Sequence, residues 1–305
     1  MQPPPTPAVP GLVLGEATWR ARRAAHEARV DGWVQAHAAR RRAGIKHPVD
    51  DFLFTYYSFR PARLRRWHPG AGVVLAGAVD FGPNYRDTPD GATVDVPALV
   101  ARRHDALAWT RALLAATARR PGQYGCFGMH EWAMVYRQSQ DDVRHNAWPL
   151  RLGAAGTAAV VEAAPIRCTH FDAYRFFTAP ARPLNLFALT RRGQVEHEQP
   201  GCLHANMDLY KWAYKLLPLI PSELAADCFA LARAIRTLDM RASPYDLRGL
   251  GLEPILVETS QGRAEYTAGQ RSFAAAAAPL RERLIAAIDL LPLEMSGGQG
   301  TVGPC

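Results

Sequence analysis

The stretch from His204 to Leu217 concentrates the residues best able to do chemistry. At about 100° per residue, a helix here gathers His204, Asp208, Lys211 and Lys215 into an arc of about 60°. Leu209, Ala213, Leu216 and Leu217 lie on the far side. An imidazole and a carboxylate four residues apart can hold each other in one tautomer and one orientation, as a general base requires. A neighbouring ammonium keeps that carboxylate ionised. The same spacing also describes an amphipathic helix with a solvated polar face. Tyr210, Trp212 and Tyr214 are not needed by a solvated face, and Tyr210 and Trp212 are candidates to stack on a substrate.

A second constellation lies upstream in Thr169-His170-Phe171-Asp172-Ala173-Tyr174, followed by Arg175, Phe176 and Phe177. A carboxylate among aromatic rings can act as a general acid or base. Tyr174 and its neighbours offer stacking surface for a flat substrate such as a nucleobase. The competing reading is an aromatic core segment with a satisfied Asp172. Cys168-Thr169-His170 and Cys202-Leu203-His204 form two Cys-x-His pairs, so Cys168, His170, Cys202 and His204 could close a tetrahedral zinc site. The usual Cys-x2-Cys or His-x3–5-His spacing is missing, and both cysteines also suit a core. His130-Glu131 is followed by Met134 where a metalloprotease helix needs its second His. After Asp239 a polar loop runs to Asp246 and Arg248, a second-choice pair for binding substrate. The glycine signatures of triphosphate and dinucleotide sites, the Gly-x-Ser-x-Gly elbow and the zinc deaminase motif do not occur.

The elements that must carry these residues are mostly helical. Residues 1–15 hold five prolines and read as a flexible arm. A helix is expected from Thr18 to Arg42, dense in arginine and anchored by Trp19, Val30, Trp33 and Val34, with Gly44 ending it. Its basic face could track phosphates or simply be solvated. Further helices are expected over Val49–Phe59, Pro97–Arg119, Met129–Arg137, Leu152–Ala164, His204–Leu217, Ser222–Met240, Thr259–Ala278 and Pro279–Leu291. In the helix from Ser222, capped by Ser222 itself, Leu224, Cys228, Leu231, Ile235 and Leu238 make an apolar seam. Gly72–Val79 fits a buried strand or a helix start, Ile166–Phe177 could be extended, and a strand could lie at Pro254–Val257. Phe81–Thr93 reads as a loop. No repeat or linker divides the chain. The expected fold is mainly α, one large helical domain over residues 16–292 with a small β element, and a disordered tail over 293–305.

The chain has 305 residues, 48% hydrophobic and 21% charged, an ordinary globular balance that excludes wholesale disorder. No apolar run approaches the roughly 20 residues that span a bilayer, so no membrane partner is expected. The chain opens with no cationic segment leading into an apolar one, and five cysteines suit reduced thiols, so a cytoplasmic location is expected. The net charge of +8, with a pI near 9.5, favours acidic partners, nucleic acid first among them.

Four runs together suggest a family: Asp51-Phe-Leu-Phe-Thr-Tyr-Tyr-Ser58, Arg66-Trp-His-Pro-Gly70, Pro200-Gly-Cys-Leu-His-Ala-Asn-Met-Asp-Leu-Tyr-Lys-Trp212 and Arg236-Thr-Leu-Asp-Met-Arg-Ala-Ser-Pro-Tyr-Asp246. Over roughly residues 15–292 the chain resembles a family of proteins from high-GC bacteria labelled 3-methyladenine DNA glycosylase. The resemblance implies DNA repair by excision of an alkylated base flipped into an aromatic pocket, with DNA as partner and no cofactor. The helix-hairpin-helix of other helical glycosylases is missing, since Arg248-Gly-Leu-Gly-Leu252 lacks its proline, so the resemblance assigns no catalytic residue. A glycosylase needs a carboxylate facing the sugar, stacking rings and basic surface. Asp172 or Asp208 would be the carboxylate, with His170, His204 and Lys211 around it. An enzyme acting on a small molecule through the His/Asp/Cys cluster, with zinc as a possible ion, and a non-catalytic nucleic-acid-binding protein are the alternatives.

Overall fold

The computed structural model describes residues 11–293. The first ten residues of the arm, and the tail from 294 onward, lie outside that range. The chain enters as a short strand, β1 (Leu12–Leu14), and turns into α1 (Glu16–Arg42), which buries Trp19, His26 and Val30. Of the expected helix over Val49–Phe59, only α2 (Phe52–Tyr56) forms, followed by α3 (Pro61–Arg65), which opens on a proline at its first turn. β2 (Val73–Ala76), β3 (Tyr85–Thr88) and β4 (Gly91–Val94) follow. Together with β1 they form a four-stranded sheet in the order β1-β2-β4-β3.

The segment read as a loop over Phe81–Thr93 is therefore a hairpin, in which Tyr85 pairs with Val94 and Thr88 with Gly91. Its turn-forming Pro89 and Asp90 sit at the bend. Gly91 has φ +137° and lies where an added Cβ would fall 2.0 Å from the Leu75 carbonyl oxygen, so only glycine lets β2 and β4 close here. The end of the presumed flexible arm is likewise ordered, because Leu12–Leu14 pair in parallel with Val73–Leu75.

The other elements are helices joined by loops: α4 (Val96–Arg119), α5 (Met129–Ala133), α6 (Gly153–Ala163), α7 (Phe171–Tyr174), α8 (Gln194–His197), α9 (Leu203–Leu216), α10 (Ser222–Arg241) and α11 (Ser260–Asp289). Helix α5 stops short of the expected Arg137, and α7 and α8 are single turns that apolar periodicity does not announce. Asp95 caps α4 by accepting from Ala98 N. At α10 the cap position is Pro221. Ser222 Oγ instead accepts from His68 N at 2.9 Å and donates to Arg66 O at 3.2 Å. The two last expected helices are one, since α11 runs through Pro279. The proline forfeits one backbone hydrogen bond, but the alanines before it favour helix and the buried Ala277, Arg281, Leu284 and Ile288 hold both halves to the core. Ile166–Phe177 is not a strand: it makes an isolated bridge at Ile166 and then the single turn of α7. Pro254–Val257 forms no strand either.

The chain is thus mainly α, one domain with a small sheet at its edge, and no described helix is long and apolar enough to cross a membrane. Helix α9 lies at its centre, packed by α10 and α11. Eleven of its fourteen residues are buried and only Lys215 is exposed, so most of its polar stripe lies inside the protein. Its polar stripe must therefore find partners inside the protein.

Candidate functional site

Those partners come from segments remote in sequence. His170, Asp172, Glu198, Asp208 and Lys211 meet on one side of α9. His170 Nε2 lies 3.2 Å from Asp208 Oδ2 and 3.3 Å from Glu198 Oε1. Tyr57 donates its hydroxyl to Asp208 Oδ1 at 2.9 Å, and Gln194 donates to Glu198 at 2.6 Å. Lys211 Nζ bridges Asp208 Oδ2 at 3.0 Å and Asp172 Oδ2 at 2.7 Å. Arg175 and Arg191 reach the other oxygen of Asp172, each at 3.2 Å. His170 Nδ1 accepts from Ala173 N at 3.3 Å, which makes His170 the cap of α7 and points its Nε2 proton at the carboxylates.

Burial alone would favour the neutral form of every one of these groups. For Asp208, Lys211 and His170 overcome it and hold the carboxyl far below its usual range. For Asp172, Lys211 outweighs burial and lowers it too. Burial opposes charge on Lys211 and on His170, but the facing carboxylates raise both. Burial prevails only at Glu198, which is raised.

A second cluster lies against the first on α5, α9, α10 and α11. His130 Nε2 is 3.1 Å from Asp239 Oδ1, and Tyr266 donates to the same oxygen at 3.2 Å. Arg236 Nη1 donates to Glu131 Oε1 at 2.6 Å and to Asp239 Oδ2 at 3.5 Å. His204 joins the clusters: its ring stands edge-on to His130, with centroids 4.4 Å apart, and 5.4 Å from His170. No hydrogen bond from another described residue reaches its side chain. Burial, then the charge on His130, keeps His204 neutral by lowering its pKa far below 6.5. Burial also opposes charge on His130, but Asp239 raises it well above 6.5.

The second cluster opens into a cavity of about 190 Å³. Phe52, Tyr56, Phe176 and Tyr245 make apolar walls, while Glu131, Asp172, His204 and Arg236 present polar groups. A site of this size holds a single ring system rather than a drug-sized ligand. Phe52 and Tyr56 stack on each other at 4.9 Å, and the Arg236 guanidinium lies 3.9 Å over Phe52, so the wall is rigid. Phe52, Arg144 and His145 also line a wider groove between α1 and the 144–148 loop. Exposed Arg41, Lys46, Arg60 and Arg144 line that groove, and none has an acidic partner among the described residues.

The residues singled out by sequence fall into three groups. Asp172 and His204 reach the cavity. His170, Asp208 and Lys211 sit behind Asp172, and the i, i+4 spacing of His204 and Asp208 produces no bond between them, because His170 takes Asp208. The aromatic candidates lie elsewhere. Tyr210 is core, edge-on to Tyr57 and Phe229. Trp212 packs on Trp109 with Lys211 and Lys215 against its ring, and Tyr174 packs on Phe177. Asp246 and Arg248 form an ion pair at 3.0 Å outside the cavity.

The zinc quartet is divided. His170 faces Glu198 and Asp208, whereas Cys168, Cys202 and His204 border a void of about 10 Å³ with Cys126 and His130. Burial pushes the thiols of Cys168 and Cys202 far up, so neither is a thiolate nucleophile. The donor groups that do converge are His130, Glu131, His204 and Asp239 in one set and His170, Glu198 and Asp208 in another.

Sequence reasoning passed over Glu131, Arg236, Asp239 and Glu198. The His130-Glu131 dipeptide and the Arg236-x-x-Asp239 spacing on one helix face were the available signals. Comparison with protein-family models, with curated proteins and with solved structures finds no match to this chain.

Proposed function

We propose that the protein is an N-glycosylase that excises an alkylated base from DNA, with the aromatic cavity as its base pocket and the adjoining basic groove as its strand-binding surface. The observation that carries this reading is the continuity of the two: Phe52, Arg144 and His145 belong to both. A flipped base entering the cavity leaves its phosphates beside Arg41, Lys46, Arg60 and Arg144, cations that no protein carboxylate neutralises. The resemblance of the four sequence runs to the family labelled 3-methyladenine DNA glycosylase supports the same class.

In this reading Asp172 is the catalytic carboxylate. Lys211, Arg175 and Arg191 keep it ionised. An anion at the cavity wall stabilises the positive charge that develops on the sugar as the glycosidic bond breaks. Asp208, His170 and Lys211 are positioning residues that fix Asp172 from behind. Phe52, Tyr56 and Phe176 grip the base.

The test is release of 3-methyladenine from methylated duplex DNA by the purified chain, followed chromatographically. Asp172→Asn should lower release by about 100-fold or more while circular dichroism stays unchanged, the scale expected for loss of an electrostatic group at the reacting centre. Folded protein that binds DNA in a salt-dependent way but releases no base would overturn the glycosylase and leave a DNA-binding protein.

A further inference from the structure

The glycosylase reading leaves His204 without a task, and the same is true of His130, Glu131 and Asp239. We propose that these four residues form a binding site for one divalent first-row transition-metal ion at the inner wall of the cavity. Their donor atoms, one from each residue, all lie within 4.8 Å of one another. Ligand bonds of about 2.0–2.2 Å place donors on opposite sides of an ion about 4.2 Å apart, so small side-chain rotations bring all four into range. Two imidazoles and two carboxylates suit manganese, iron, cobalt or zinc. Calcium and magnesium prefer an all-oxygen shell.

The decisive feature is His204. It is 6% exposed and receives no hydrogen bond on its side chain among the described residues. Its ring lines the cavity, where an imidazole nitrogen that bonds no protein group is free to take an ion. Supporting groups already surround the other ligands: Cys126 Sγ lies 3.6 Å from His130 Nδ1, Tyr266 bonds Asp239, and Arg236 bonds Glu131. Such outer contacts orient ligands in metal sites. Glu131 and His204 both line the cavity, which supplies an entry path and room for further ligands.

The other convergent set, His170, Glu198 and Asp208, is different. Its imidazole is bonded at both nitrogens.

The experiment is titration of the full chain, stripped by a chelator, with Co²⁺ read by visible absorption and with Mn²⁺ read by electron paramagnetic resonance. One ion per chain is expected, with nitrogen and oxygen coordination and a rise in melting temperature. His204→Gln and Glu131→Gln should each weaken Co²⁺ binding by at least about 10-fold, the lower end of what even outer-shell changes cost. Glu198→Gln should bind as the parent does. Folded protein that takes up no Co²⁺, or uptake that survives His204→Gln and fails in Glu198→Gln, would overturn the assignment. Metal uptake and base release are separate readouts, so each reading stands or falls alone.

Discussion

The two histidine–carboxylate clusters flanking α9 share composition and burial but differ in how far their hydrogen bonding is complete. Around Asp208, Tyr57, His170 and Lys211 all point inward, and His170 is bonded at both ring nitrogens. Around Asp239 the network stops at His204, which is buried, neutral and unbonded beside an open cavity. Completed buried networks specify a fold, whereas an unfinished one beside a cavity has capacity left for a ligand. The first cluster is closed by its own partners except where Asp172 meets the cavity, whereas the second borders the cavity through Glu131, His204 and Arg236.

Substitution separates the two most strongly. Asp208→Ala removes the buried carboxylate that Tyr57, His170 and Lys211 share, leaving Lys211 only Asp172 and His170 only Glu198. It should cost about 3 kcal/mol in urea unfolding, the lower end of the penalty for breaking a buried ion pair from one side. His204→Phe removes a polar ring that bonds nothing, and should change stability by less than about 1 kcal/mol, as shape-preserving apolar swaps do. Equal losses at both positions would erase the distinction.

The pH dependence of stability should separate the histidines that face carboxylates from those that do not, on the two sides of pH 6.5. His204 and His145 are depressed, the latter to about 3, by burial and by nearby positive charge. Below 6.5 the unfolded chain takes up protons that these folded rings refuse, so their contribution is lost as pH falls. His170 and His130 are raised by facing carboxylates that outweigh burial. Their contribution is complete below 6.5 and is lost as pH rises through the folded values. Stability should therefore fall on both sides, and His145→Asn should flatten only the acid side between 6.5 and about 3. Thermal melts across pH measure this directly. A flattened alkaline side in that variant would contradict it.

The smallest effect concerns basic surface. Arginines of α1 are mostly spent on the protein itself: Arg20 on Glu16, Arg22 on Glu223, Arg29 on Asp227 and Arg40 on Asp51. The groove cations are not. Arg144→Ala or Lys46→Ala should lower the dependence of log K on log salt by about 0.9 for duplex DNA, the increment for one lost phosphate contact. Arg29→Ala should leave it unchanged. Fluorescence anisotropy at several salt concentrations distinguishes them.

Helices were readable because their apolar spacing is local: α9, α10 and α4 lie within a residue or two of where periodicity places them. The hairpin was not, since its glycines and proline look the same in a loop until β2 arrives to pair with it. Among the site residues, types and helix positions were legible for His170, Asp172, His204, Asp208 and Lys211. Their partners were not. His204 and Asp208 are four residues apart on one helix, yet a buried carboxylate bonds whichever donor the packing brings into line, and here that donor is His170, thirty-eight residues away. Asp239 and His130 meet across 109 residues for the same reason. By itself the sequence determined a helical chain with a polar stripe on one central helix and an excess of positive charge. Only the tertiary structure decided that the stripe is buried, which half of it is sealed by partners and which half faces a cavity, because hydrogen bonds at short range depend on side-chain direction and on segments that sequence spacing does not relate.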